Sequence, residues 1–228
     1  MTKQSIATQL KDTFKKNREI ADYSNNFNLR IHRSISWLKK AEETIEDSDI
    51  CFISLWISFN AVYAREMEGN LSVSDRTEFR QFLQKICQLD DDKHIYKLIW
   101  TTYSGSIKSL LNNQYIFQPF WDSYNGKTAE SVWKEDFQKT KVLVNKAIAN
   151  TDTDTILAHI FNRLYTLRNQ IIHGGATYNS YVNRSQLKDA NAILLSLLPI
   201  IIEIMMKNHN DMEWGKPFYP PVSDDGGK

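Results

Sequence analysis

Residues 50–67 read ICFISLWISFNAVYAREM, and their pattern decides the fold class. Apolar side chains occupy nearly every side of this segment through its first two turns, where an amphipathic helix would show one stripe. A helix with no polar face to give to water belongs in the middle of a bundle. The acidic break EDSD at 46–49 precedes it and offers Ser48 or Asp49 as the N-cap, because a short oxygen-bearing side chain accepts from the orphan N–H groups of a first turn. Cys51 lies inside the apolar run and is expected in the core.

Outward from this helix, apolar residues recur at spacings of three and four, which predicts an all-α chain. A basic amphipathic helix is expected over 3–21 and a second over 27–46, with Ile31, Ile35, Leu38, Ala41 and Ile45 on one face. Gly69-Asn70 ends the central helix. Helices near 75–87, 93–111 and 129–149 then make a helical insertion of about 70–150. The aromatic stretch NNQYIFQPFWDSYNGKT inside it reads as an ordered loop whose rings pack back on the bundle. Asp152, Thr153 or Asp154 caps a helix of about 154–173, which stops at Gly174-Gly175. The last helix, about 184–208, has Asn183 as its cap. The reading is one domain over 1–228, with its core in 27–67 and 153–208 and an extended tail at 209–228 whose last residues are disordered.

ANAILLSLLPIIIEIMM at 190–206 is 17 residues long, short for a membrane span, and carries Glu203. A buried helix kinked at Pro199 is expected, with no membrane partner. Net charge is +1, so no whole-molecule field draws this chain to nucleic acid. Residues 1–40 hold nine Lys/Arg against three acids, a net of +6, read as a solvated helix face. Two cysteines without a C-x-x-C spacing, and no leader in MTKQSIATQLKDTFKK, predict reduced thiols in a cytoplasmic protein. His32, His94, His159, His173 and His209 show no ligand spacing with each other or with the cysteines, so no metal is expected.

The chemistry concentrates at the end of helix 154–173. Leu157, Ile160, Phe161, Leu164, Leu167, Ile171 and Ile172 form one apolar stripe, and Arg168 falls near its middle. An unpaired guanidinium is costly there, so either an acid reaches it or it opens onto a cleft that takes an anion. Glu42, Glu43, Glu66 and Glu203 are the acids considered for such a bridge. Asn169 and His173 share a face at i, i+4. His173 lies about 140° around an ideal helix from Arg168, so the two converge only if the last turn unwinds or two chains share a cleft. His173 also suits a plain C-terminal cap. Asn60 and Tyr63, three apart on the central helix, are read either as core hydrogen-bonding groups or as lining of that cleft. Arg184 and Lys188 open the last helix, as solvated surface or as phosphate contacts; Arg163 and Tyr165 are weaker candidates on the motif helix.

The segment RLYTLRNQIIHGG resembles the R-x(4–6)-H signature of HEPN domains, small helical bundles that commonly dimerise. RSISWLKKAEETIEDSDICFISLWISFNAVYA is similar to the early helices of large bacterial HEPN proteins of the Apea-like kind. The likeness spans roughly residues 30–208. It implies endoribonuclease activity that requires no metal or cofactor, in a homodimer acting on RNA in defence, stress or a toxin–antitoxin pair with an antitoxin or other regulatory partner. In such a reaction the ribose 2′-OH attacks the adjacent phosphorus, leaving a 2′,3′-cyclic phosphate and a 5′-OH. His173 would move protons, Arg168 would hold the phosphorane oxygens, and Asn169 would orient the phosphate or His173. Some HEPN toxins carry a modifiable tyrosine two residues past the histidine; here that position is Gly175. The alternative is a non-catalytic HEPN bundle serving as a dimerisation or RNA/nucleotide-binding module.

Overall fold

The computed structural model describes residues 4–64, 75–210, 214–217 and 219. They form α1 (Ile6–Ile20), α2 (Asn25–Glu43), α3 (Ser48–Tyr63), α4 (Asp75–Gln88), α5 (His94–Lys97), α6 (Ser104–Asn112), α7 (Gln118–Tyr124), α8 (Glu130–Ala149), α9 (Thr153–Ile172) and α10 (Arg184–Lys207). A π-helical turn, Leu98–Thr102, joins α5 to α6, and a 3₁₀ turn, Gln114–Ile116, precedes α7. The fold is an all-α bundle, with no strand among the described residues.

α3 occupies the centre. It packs against α2, α4, α9 and α10, and Cys51, Phe52, Leu55 and Phe59 are wholly buried. Its N-cap is Asp47, one residue before the expected pair, with Oδ1 accepting from the Ile50 N–H at 3.1 Å. That leaves Asp49 free for another task. At the other end, Arg30 is completely buried and its Nη1 donates to the carbonyls of Ala61, Val62 and Ala64 at 3.2, 2.9 and 2.8 Å. A cation there satisfies the orphan carbonyls and opposes the negative end of the α3 dipole. One member of the basic N-terminal stretch is therefore core structure, not solvated surface.

α10 is long and apolar enough to cross a membrane, yet 67% of its apolar window is buried inside the bundle. It continues as helix through the buried Pro199. The single helix expected over 93–111 is divided at Thr101-Thr102-Tyr103-Ser104-Gly105, a run of weak helix formers. The aromatic stretch expected as a loop contains α7, started by Pro119 in its first turn. Its rings meet mainly α8: Phe120 lies 5.2 Å from Trp133, and Phe117 lies 5.2 Å from Phe137. Trp214 of the tail is buried against Phe27 and Phe82, and the Arg30 Nη2 reaches the Gly215 carbonyl. The expectations for residues 65–67 and for the end of the tail lie outside the described residues.

Candidate functional site at the end of α9

α9 begins at Asp152, whose Oδ1 accepts from the Thr155 N–H at 3.2 Å. Its end is closed by a Schellman arrangement. The Gly175 N–H reaches Gln170 O at 2.6 Å and the Gly174 N–H reaches Ile171 O at 3.1 Å. Gly174 has a φ of 69°, the left-handed conformation that this cap requires. A Cβ on Gly175 would sit 2.9 Å from Gln170 O, so this position closes tightly on the helix.

His173 is the C-cap, and its N–H still bonds to Asn169 O at 3.0 Å. The last turn therefore stays wound. Of the two routes by which Arg168 and His173 were expected to meet, unwinding is absent. Within one chain they point about 140° apart. The His173 side chain is exposed and makes no hydrogen bond among the described residues.

Arg168 is half-buried. Its Nη1 donates to Asn169 Oδ1 at 2.9 Å, its Cζ lies 5.8 Å from the centre of the Tyr165 ring, and its buried Nε has no partner among the described residues. No carboxylate among them neutralises it. Glu42 instead accepts from the N–H groups of Ile6 and Ala7 at 2.9 and 3.2 Å. Glu43 faces Lys39 and Lys40, and Glu203 is exposed. Glu66 lies outside the described residues. Asn169 thus orients Arg168 rather than His173, and offers it no negative charge.

α3 and α9 run antiparallel, as the ring contacts Trp56–Tyr165 and Phe59–Phe161 show. That register sets the N-terminus of α3 beside the motif. Asn60 and Tyr63 lie the other way, roughly 11 and 16 Å along the axes from the level of Arg168. Tyr63 packs on Phe59, Phe79 and Phe82. Asn60 is half-buried, with Oδ1 lacking a partner among the described residues. Neither is brought to Arg168 within the chain.

Arg184 pairs with Asp49, Nη2 to Oδ2 at 2.6 Å, so its charge is already met. Lys188 is exposed and has no ion pair among the described residues. Asn183 occupies the cap position of α10 with a left-handed φ of 63° and makes no capping bond. Its amide donates to Gln170 Oε1 at 2.9 Å. Arg163 is 3% exposed, donates to Leu111 O at 3.0 Å, and has its Cζ 4.3 and 5.3 Å from the ring centres of Phe117 and Phe137. Burial pushes its guanidinium down to about 10, still protonated at neutral pH. It is a structural cation.

Gln170, Asp47 and Tyr115 frame the site and were not singled out from the sequence, and Asp49, which also frames it, was read only as a helix cap. Gln170 Nε2 donates to Tyr115 O at 2.6 Å, which brings the insertion to the motif. Tyr178 donates to Asp47 Oδ2 at 2.5 Å, which holds that carboxyl below the usual range and lifts the phenol above its own. The EDSD break signalled only capping; its pairing with a loop some 130 residues away has no local signature. Burial pushes Cys51 up to about 11 and Cys87 up to about 12, so both thiols stay protonated near neutrality. Among the described residues, no three of His, Cys, Asp and Glu come together as metal ligands. Comparison with family models, with curated proteins and with solved structures found no match to this chain.

Proposed function

We propose that this protein is a HEPN-type, metal-independent endoribonuclease in which two copies of the chain form one cleft. The observation that carries the reading is Arg168, a half-buried cation whose only hydrogen-bonded side-chain partner among the described residues is the neutral Asn169. A guanidinium so placed retains its full attraction for an anion, and its fork matches two phosphoryl oxygens. His173, exposed at the capped helix end, supplies an imidazole that exchanges protons with the 2′-OH and the leaving 5′-oxygen. Because the wound last turn holds the two side chains apart, the arginine of one copy is assigned to work with the histidine of the other.

The test is cleavage of mixed RNAs in EDTA by wild type, Arg168→Ala and His173→Ala, with folding and mass in solution measured alongside. Wild-type cleavage that both substitutions abolish supports the nuclease. A mixture of the two variants then reads the geometry. If each site draws on both chains, mixed dimers regain one complete Arg–His pair and partial activity; if each chain works alone, they stay dead. RNA binding without cleavage, in a folded wild-type dimer, would replace the nuclease with the RNA-binding module.

A further inference from the structure

A cleft of about 370 Å³ lies on the other side of the molecule's functional helix, towards the start of α9. Arg80 of α4, Leu143 and Lys146 of α8, and Asp152, His159 and Asn162 of α9 line it. Its size falls at the small end of ligand sites, which run from roughly 300 to 1,000 Å³. Neither Arg80 nor Lys146 has a carboxylate partner among the described residues, and the Asn162 side chain makes no hydrogen bond there. The acid that lines the cleft, Asp152, already caps α9 through the Thr155 N–H.

His159 sits half-buried against these cations. Burial lowers its pKa, and Arg163 and Arg80 lower it further. The charged and titratable groups around it are Arg80 from α4, Lys146 from α8, and Asp152, Asp154 and Arg163 from α9. Asp152 is held low by a hydrogen bond from Asp154, whose own carboxyl is raised by the same contact. A dianion entering the cleft reverses the local Coulomb balance and favours the imidazolium, so the ligand recruits a third cation as it binds. The buried Ala147 and Ala158 supply an apolar floor, and the exposed Leu143 stands at the rim.

We propose that the cleft between α4, α8 and α9 binds a small phosphate ester, its dianion held by Arg80, Lys146 and His159 and its polar remainder by Asn162. The assignment does not rest on the nuclease reading, because it uses neither Arg168 nor His173. It is tested on the full chain carrying ¹³C-labelled histidine, titrated with inorganic phosphate and separately with adenosine monophosphate at constant ionic strength. The expected result is a saturable shift of the His159 resonance, with its titration midpoint moving to higher pH as ligand is added. Arg80→Gln and Lys146→Gln, both at exposed positions, each weaken binding by roughly tenfold, the effect of losing one charge-assisted contact. Arg168→Ala leaves it unchanged, whether or not RNA is cleaved. No saturable shift, or one that both glutamine variants retain, overturns the site. Displacement of the phosphate by an uncleavable DNA oligonucleotide at lower concentration than the mononucleotide also overturns it, in favour of a polymer groove.

Discussion

Arg163 and Arg168 stand five residues apart on one helix and live in opposite circumstances. Arg163 is enclosed, with two rings beside its guanidinium and a carbonyl at its tip. Arg168 is half-buried, with one neutral amide and an unpartnered Nε. The first charge is compensated by the fold that surrounds it. The second has a single ring at 5.8 Å and no carboxylate among the described residues, and desolvating a charge without pairing it is unfavourable unless something outside the chain supplies the pair. The contrast separates an arginine that holds the bundle together from one available for a ligand, although the two look alike in composition.

The largest effect that breaks this contrast concerns the proposed cleavage activity. If the protein is the proposed nuclease, Arg168→Ala lowers RNA cleavage about a hundred- to a thousandfold, as loss of a transition-state donor does, while thermal melting moves little. If it melts as early as Arg163→Ala, both arginines are structural. Arg163→Ala itself should destabilise the protein by about 3 kcal/mol, combining a desolvated cation–π contact with a charge-assisted hydrogen bond; urea unfolding measures it, and cleavage per folded molecule should persist. Gly174→Ala places a Cβ in the left-handed region at φ 69° and should lose about 1–2 kcal/mol, frayed at His173 and seen as faster amide exchange there. Asp49→Ala, which removes the partner of the partly buried Arg184, is expected to destabilise the protein by about 1 kcal/mol, the net value of one hydrogen-bonded contact, measured by urea unfolding. Smallest is the pH response of the loop that Asp47 holds. Its folded pKa is depressed, so the Tyr178 contact is present above the ordinary carboxylate range and is lost as pH falls through the depressed value. Amide exchange across 176–183 should quicken only in that acidic window.

Helix positions were legible because the apolar spacing repeats over whole turns, and α3 announced its central place by lacking a polar face. The stop at Gly174-Gly175 was legible for the same local reason, since a left-handed cap favours glycine. The π turn was not, because weak formers such as Thr101 and Thr102 lower helix stability without specifying what replaces it. α7 was hidden by turn residues around an aromatic run, and its short helix depends on packing against α8. At the site, Arg168 was visible as a cation within an apolar stripe. The roles of Gln170, Asp49 and Arg163 were not, because each depends on a partner distant in the chain. Arg184 illustrates the point: a surface cation in sequence, it is neutralised by an acid 135 residues earlier.

The ties between the insertion and α9 also bear on how the molecule comes apart. Trp100 donates to Thr153 at the first turn, Leu111 and Phe117 receive Arg163 in the middle, and Tyr115 accepts from Gln170 at the last. Fastened along its whole length, the helix cannot open while residues 100–117 remain in place without stranding a buried cation and two hydrogen-bond donors. α9 and this stretch therefore belong to one cooperative unfolding unit. In native-state hydrogen exchange their slowest amides should share a single opening free energy, and excising the insertion would remove the clasp that fixes the motif helix.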